Sequence, residues 1–226
     1  MRIFVIGYTL FVLSSAALAQ QTAPQKPFEP VSGQAGKDVV WVPSPPDMVA
    51  LSRKLAQDAG VADKAQFVEA DMYEYDISKA TVMALFLLPV NMNRLAPKFF
   101  NLAPGSRIVA NTFGIEGWEP DVRVTLPPAS ECESWCEALL WIVPAKIAGK
   151  WTMGNGSMTL TQEYQAVQGT VTTGGATQTV VTGRLRGDEL TFKAGNMTYR
   201  GKAAGNTIEG TITTPTGDVP WQARRQ

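Results

Sequence analysis

Residues able to perform acid–base, nucleophilic or metal chemistry are few in this chain of 226 residues. It has no histidine and only two cysteines, Cys132 and Cys136. The composition therefore excludes Ser-His-Asp and Cys-His catalysis, and it leaves too few soft ligands for a zinc site, so we expect no bound metal. Any chemistry must rely on carboxylates, tyrosines, lysines or the positioning of substrates, and these residue types assign no catalytic residue by themselves.

The two cysteines lie in an acidic segment, residues 131–137, with the sequence Glu-Cys-Glu-Ser-Trp-Cys-Glu. In an oxidising compartment, a disulfide between Cys132 and Cys136 is the expected state. The alternative is a pair of free thiols, which the four-residue spacing would keep close together on a helix.

The first 19 residues have the pattern of a bacterial secretory signal peptide. Arg2 supplies a positive charge, residues 3–13 an apolar run, and Ala17-Leu18-Ala19 a small-x-small cleavage site. The run is shorter than the roughly 20 residues of a membrane-spanning helix, so we expect no integral membrane span. The pattern predicts a periplasmic or secreted protein cleaved after Ala19; the alternative is an uncleaved membrane anchor. Residues 20–37 are rich in proline and predict a flexible lead-in.

Strand and helix patterns alternate through residues 38–148, which predicts an α/β domain with a parallel sheet. A helix is expected over Pro46–Gly60, with an apolar stripe formed by Met48, Leu51 and Leu55. A second helix is expected over residues 91–101, broken at Pro97. The expected strands are residues 66–70, 80–88, 107–111 and 138–143.

The chain between Asp38 and Trp151 resembles the bacterial class I S-adenosylmethionine (SAM)-dependent methyltransferases, of an exported type with a C-terminal β domain. The segments that match are VPSP, PDMVALS, AGVADKAQFVEADMYEYD, SKATVMALFLLP, PGSRIVANTF, GWEPD and ALLWIVPAKIAGKW. In that family a strand, a glycine-rich turn (D-x-G-x-G-x-G), a helix and a strand ending in an acidic residue lie between VPSP and PDMV. Here Pro46 follows Pro45 directly, which indicates an internal deletion.

The resemblance implies SAM as cofactor and an incomplete doubly wound, Rossmann-like sheet. It assigns Asp71 and Met72 to the loop that contacts the adenine ring, with Asp71 accepting from the exocyclic amine; the alternative for Asp71 is a cap on the following turn. It assigns Leu88 and Pro89 to the end of the fourth strand, where amino-methylating relatives often carry Asn-Pro-Pro-Tyr. The deleted glycines would let the backbone approach the cofactor, and the deleted acidic residue would hold the ribose hydroxyls.

The deletion also affects the expected sheet, whose strand order in this family is 3-2-1-4-5-7-6. Loss of strands 1 and 2 would isolate strand 3 and expose one edge of strand 4, inviting self-association. Direct pairing of strands 3 and 4 is the alternative, and it requires a very short crossover.

Residues 149–226 have a different composition, in which threonine and glycine dominate and apolar residues alternate with polar ones. About eight short strands predict a small antiparallel barrel or sandwich. The pairs Gly187-Asp188 and Gly205-Asn206 predict two-residue hairpin turns. The aromatic residues of this domain are expected in its core, or else lining a ligand calyx: Trp151, Tyr164, Phe192 and Tyr199.

The sequence thus predicts a methyltransferase-family protein that is impaired or inactive because the glycine-rich loop is missing. Trp41-Val42-Pro43 resembles the aromatic-Val-Pro segment of lysine methyltransferases that modify the ATP synthase c-subunit, where it would form a wall of the acceptor pocket; the alternative is an edge-strand anchor. Any residual transfer would be to a protein lysine or a small acceptor. Methyl transfer depends mostly on orientation, so the lack of histidine does not exclude this class. The alternative is a non-enzymatic periplasmic binding or structural protein acting through the β domain. A formal net charge of zero predicts no nucleic-acid partner.

Overall fold

A computed structural model describes residues 2–5, 38–41, 46–126, 132, 134–154 and 156–226. The chain divides into two compact units. The first comprises Met1–Leu102, Arg107–Ile115 and Val122–Trp141, and the second comprises Ala103–Ser106, Glu116–Asp121 and Ile142–Gln226.

A seven-stranded sheet organises the first unit, in the order β3-β2-β1-β4-β5-β7-β6. The helices described for this unit are α1 (Pro46–Asp58) and α2 (Pro89–Phe100). The strands are β1 (Arg2–Val5), β2 (Asp38–Trp41), β3 (Ala65–Val68), β4 (Val82–Phe86), β5 (Arg107–Asn111), β6 (Val122–Thr125) and β7 (Glu137–Ile142).

The directions of the strands identify the edge of this sheet where a ligand site is expected, because ligands of α/β sheets bind at the carboxyl ends of the strands. Strand β2 is parallel to β3, and β4 is parallel to β5. Strand β1 is antiparallel to both β2 and β4, so β2, β3, β4 and β5 all run in one direction and β1 runs in the other. The carboxyl ends of those four strands therefore share one edge, named the carboxyl edge below. The sheet is mixed, and a Rossmann-like winding stays a prediction.

In the uncleaved chain, the fourth strand does not have the exposed edge that was expected for it. Residues Arg2–Val5 pair on one side with β2, where Ile3 lies opposite Trp41, and on the other with β4, where Ile3 lies opposite Leu85. Strand β4 is thus flanked by β1 and β5, and it does not pair with β3. The outer strands are β3 and β6, and self-association through an edge stays a prediction. Residues 6–37, which hold the rest of the expected signal segment and the lead-in, lie outside the described residues.

Helix α1 packs through a different face from the one its sequence suggests. Val49 and Ala56 are buried and form a small core cluster with Phe67 and Ala84. Leu51, expected in the buried stripe, is 41% exposed. For Leu51 the expected burial is therefore wrong, whereas Leu55 is half-buried and the side chain of Met48 lies outside the described residues.

Helix α2 begins at Pro89 and runs through Pro97 without ending there, so the expected break is wrong. A proline inside a helix costs about 3 kcal/mol. Burial of Met92, Leu95 and Phe99 offsets that cost, because each is almost fully shielded from solvent. Neither helix in the described parts of the chain is long and apolar enough to cross a bilayer.

The predicted β-barrel is confirmed: eight strands of the second unit close in the order β10-β11-β12-β13-β14-β15-β8-β9. The pairings given for its strands are antiparallel. The strands are β8 (Gly149–Met153), β9 (Gly156–Glu163), β10 (Ala166–Thr173), β11 (Ala176–Arg186), β12 (Glu189–Ala194), β13 (Met197–Ala204), β14 (Thr207–Thr214) and β15 (Gly217–Arg225).

The barrel interior is filled by side chains. Trp151, Phe192 and Tyr199 are buried in one cluster with the aliphatic residues of the surrounding strands. The Phe192 and Tyr199 rings stack with their centroids 4.5 Å apart. Tyr164 is half-buried and stacks on Trp118 with centroids 4.6 Å apart. Three of the four aromatics proposed for the core or a calyx therefore belong to the core.

Close strand approach explains Gly169 and Gly210, which occupy the same place in two similar segments, VQGTVTT (residues 167–173) and IEGTITT (residues 208–214). A Cβ atom on Gly169 would lie 2.0 Å from the Thr159 carbonyl oxygen, and one on Gly210 would lie 1.9 Å from the Arg200 carbonyl oxygen. Any other side chain would force these neighbouring strands apart, so the repeated glycine permits the barrel to close tightly.

Candidate functional site

The first pair of expected cofactor residues follows β3 at the carboxyl edge. The Asp71 Oδ1 atom accepts a hydrogen bond of 2.7 Å from the Tyr73 backbone N–H, and the Asp71 carbonyl accepts one of 2.8 Å from the Tyr75 N–H. Asp71 therefore caps its own turn, as its alternative role predicts, and it remains exposed. Met72 is buried, with 3% exposure. Of this pair, Asp71 is the residue whose side chain faces solvent.

Lys98 of α2 holds this loop in place. Its Nζ atom donates to the carbonyl oxygens of Tyr73 at 2.9 Å, Tyr75 at 2.5 Å and Met72 at 3.5 Å. One half-buried ammonium group thus satisfies three backbone acceptors of the loop. Sequence reasoning missed Lys98, because nothing in the chain order relates a helix lysine to a loop more than 20 residues earlier.

Tyr73 makes a second link between the loop and α2. Its hydroxyl donates to Asn91 Oδ1 at 2.5 Å, and the Arg94 guanidinium lies 3.7 Å from the centre of its ring. Asn91 is one of few buried polar residues, with 8% exposure. The loop and the first two turns of α2 therefore form one connected structure.

The second pair of expected cofactor residues follows β4. Leu88 precedes α2 and is 58% exposed, and its carbonyl accepts the Asn91 N–H at 2.9 Å. Pro89 is the first residue of α2, where the missing N–H costs nothing. Strands β2 and β1 lie between β3 and β4, so the two pairs follow separate strands that end at the same carboxyl edge.

The described residues fit only the adenine end of a SAM molecule. Asp71 offers an exposed carboxylate acceptor after β3, as an exocyclic amine requires. A glycine turn for the methionine end would have to leave a strand at the carboxyl edge. Strand β1 occupies that place in the sheet but runs in the opposite direction, so its carboxyl end lies at the other edge. After β2 the first acidic residue is Asp47, inside α1. Within the described residues, neither β1 nor the turn after β2 places a glycine-rich turn at the carboxyl edge, and a cofactor role for the four expected residues stays a prediction.

Other features of the described chain do not add to that site. A cleft of about 570 Å³ lies along α1 and β3, lined by Arg53, Gln57 and Glu69 among others, and it includes none of the four expected cofactor residues. Among the described residues, no three His, Cys, Asp or Glu side chains are grouped to hold a metal ion. Cys132 and Cys136 are joined in a disulfide, with a Cα–Cα distance of 5.8 Å.

Comparison with known proteins finds similarity to methyltransferases. Residues 31–122 match the family model of the ANTKMT methyltransferase domain. A protein-lysine N-methyltransferase of Saccharolobus islandicus (strain REY15A) is 44% identical over 62 residues, which are 27% of this chain and 38% of that protein. These matches support a SAM-dependent methyltransferase family for this chain.

The methyltransferase likeness is partial in extent. The chain spans 38% of the length of the archaeal lysine methyltransferase. A crystal structure of an RNA methyltransferase from Salinibacter ruber, in complex with S-adenosyl-L-homocysteine, is similar over 49% of this chain and 68% of its own, with 37% sequence identity and a TM-score of 0.44. The resemblance to the methyltransferase family implies the use of SAM.

Proposed function

We propose that this chain is a methyltransferase-family protein that retains the adenine end of the SAM site and has lost the remainder. The observation that carries the proposal is the loop at Asp71, which is held against α2 by Lys98 at the carboxyl edge. The segment that would provide the ribose and methionine contacts in the resembled family has no counterpart at Pro45–Pro46, and in the uncleaved chain the antiparallel strand β1 lies beside β4 instead. Binding of SAM is accordingly weak, and so is any methyl transfer.

The size of the expected defect follows from the number of missing contacts. Removing one partner of a buried charged hydrogen bond costs about 2–5 kcal/mol. Loss of the ribose carboxylate alone would weaken a site with a Kd of about 1 μM to a Kd between roughly 30 μM and 4 mM, since each 1.4 kcal/mol is a factor of ten. Loss of the glycine turn weakens it further.

A protein lysine is the proposed acceptor of any residual transfer. The archaeal relative is named as a protein-lysine N-methyltransferase. Leu87-Leu88-Pro89 stands where Asn-Pro-Pro-Tyr would indicate the planar amine of a base as methyl acceptor, so that class of acceptor is disfavoured. Export to the periplasm, with removal of residues 1–19, is part of the same proposal. Its support is the Ala17-Leu18-Ala19 sequence after an apolar run.

Calorimetric titration with SAM and with S-adenosylhomocysteine tests the cofactor proposal. The chain as it stands should show a Kd above roughly 1 mM, and a version carrying a relative's glycine-rich segment between Pro45 and Pro46 should bind in the micromolar range. In the repaired version, Asp71→Ala should weaken binding by at least tenfold. Asp76→Ala is the matched control, because Asp76 accepts the Ser78 N–H at 2.8 Å in a similar turn. Micromolar binding by the unrepaired chain, abolished by Asp71→Ala, would overturn the proposal.

A further inference from the structure

The cleft of about 570 Å³ along α1 and β3 opens onto the outer edge of the sheet. Among the described strands, β3 pairs with β2 and with no other, so its second edge is unpaired. Residues 65–69, which are β3 and the residue after it, all line the cleft. Successive side chains of a strand point to opposite faces of its sheet, so a cleft that touches five consecutive residues runs along the edge of the strand. The cleft therefore gives access to the unpaired edge of β3.

The cleft combines an apolar floor with a polar rim. Ala56 and Phe67 are buried in the small core cluster that joins α1 to the sheet, and both line the cleft. Arg53, Gln57 and Glu69 line it as well and are exposed. A volume of this size, with an apolar floor and a few polar groups, is typical of ligand-binding clefts.

One charged group of the rim is held in place by the strand. The Arg53 Nη2 atom donates to the Phe67 carbonyl oxygen at 2.8 Å. This bond fixes the planar guanidinium beside the middle of β3 and uses one of its five N–H donors. The geometry of a guanidinium fits the two oxygens of a carboxylate, so the remaining donors of Arg53 are able to hold a carboxylate at this point.

A group of opposite charge lines the same cleft. Glu69 lies two residues beyond Phe67, which is about 7 Å farther along the strand at 3.3 Å per residue. In the described parts of the chain, neither Arg53 nor Glu69 takes part in an ion pair. The two charges thus line one cleft without neutralising each other. A molecule with one negative and one positive group at a similar separation complements both.

We propose that this cleft binds a short peptide with free termini, which lies beside β3 as an additional strand. Its terminal carboxylate pairs with Arg53, and its terminal ammonium group pairs with Glu69. Because Glu69 follows the carboxyl end of β3, the peptide runs antiparallel to β3, which is the more stable pairing of two strands. The unpaired edge supplies backbone donors and acceptors, as it does when peptides extend other sheets. At about 3.3 Å per residue, the spacing of the charges fits a peptide of two or three residues.

An NMR titration of the full-length chain, without SAM, tests this site. The probe is trialanine, and the signals are the backbone amides of residues 65–69 and the Arg53 Nε–H, which is identified by its loss in Arg53→Gln. We expect a saturable shift with a Kd in the millimolar range. Trialanine amide lacks the carboxylate and N-acetyl-trialanine lacks the ammonium group, and each should bind about two- to fivefold more weakly, as expected for an exposed ion pair. Equal binding of the three probes, or no saturable shift with trialanine, overturns the proposal.

Single substitutions assign each charge to one end of the peptide. Arg53→Gln should weaken the binding of trialanine about two- to fivefold and leave that of trialanine amide unchanged. Glu69→Gln should weaken the binding of trialanine to the same extent and leave that of N-acetyl-trialanine unchanged. If either variant weakens all three probes alike, the charge has only a structural role and the proposal fails.

The matched control is Lys54→Gln, because Lys54 is 69% exposed, lies next to Arg53 in α1 and does not line the cleft. It should bind all three probes like the natural chain. Shifts at residues 65–69 that depend on protein concentration without peptide would show that a second copy of the chain occupies the edge, which would overturn the proposal. The cleft includes none of the residues assigned to SAM, so failure of the cofactor proposal leaves these results unaltered.

Discussion

The loop that carries Asp71 depends on one ammonium group, and replacing Lys98 with Met should release it. The Lys98 Nζ atom donates to the carbonyl oxygens of Tyr73 and Tyr75 at hydrogen-bond distance, and to that of Met72 at 3.5 Å. Methionine keeps an apolar stem of similar length and removes both the donors and the charge. The substitution therefore tests the hydrogen bonds with little change in packing.

The expected loss follows from two bonds. A hydrogen bond to a charged group contributes about 1.5–3 kcal/mol, so the bonds to Tyr73 and Tyr75 contribute about 3–6 kcal/mol together. Because Lys98 is half-buried, water replaces part of what is lost. We expect the free energy of local opening of residues 71–75 to fall by about 2–3 kcal/mol.

Hydrogen exchange followed by mass spectrometry measures this opening. Peptides that cover residues 71–75 should exchange about 30- to 150-fold faster in Lys98→Met, since 1.4 kcal/mol is a factor of ten. Lys54→Met is the matched control, because Lys54 is 69% exposed and pairs with Asp58 within α1. It should alter stability by no more than about 0.5 kcal/mol. If the loop in Lys98→Met exchanges within threefold of the control, the reasoning is refuted.

Two further predictions concern the sheet and the barrel. A chain that begins at Gln20 lacks β1, which leaves β2 and β4 with unpaired edges. We therefore expect this truncated chain to associate in a concentration-dependent way, measured by sedimentation velocity against the uncleaved chain. A truncated chain that stays monomeric would contradict this prediction. Burial raises the pKa of Tyr199 above its ordinary value of 10.0. The folded state therefore holds this proton more tightly, and the resulting stability is fully present below pH 10 and is lost as the pH rises through the raised pKa. Urea midpoints between pH 8 and 11 should fall more steeply for the natural chain than for Tyr199→Phe, and identical slopes would refute the assignment.

The barrel was predictable from sequence because its signals are local. Alternation of apolar and polar residues gives the strands, and Gly187 and Gly205 supply the positive φ angles, 62° and 59°, of two hairpin turns. Each strand pairs with its neighbour in the chain, apart from the closure of β15 on β8. Local pattern and final structure therefore agree.

The first unit was less predictable, because its outcome depends on distant partners. All four residues of β6 are exposed, so this strand has no buried face by which the sequence could identify it. Contacts with Phe67 and Ala84 determine which face of α1 is buried. Helix α2 continues beyond Pro97, and Phe99 in its last turn is buried. Pairing of Arg2–Val5 with β4 joins segments about 80 residues apart, which no local pattern encodes.

By itself the sequence determined the methyltransferase likeness and the absence of histidine chemistry, and it predicts that the glycine turn is missing. Only the tertiary structure showed that β1, the strand between β2 and β4, runs antiparallel to both, and that Lys98 and Asn91 hold the Asp71 loop. It alone placed Arg53 and Glu69 in one cleft, because α1 packs against β3 at the outer edge of the sheet. Residue types specify which chemistry is available, and strand order and direction specify where it can act.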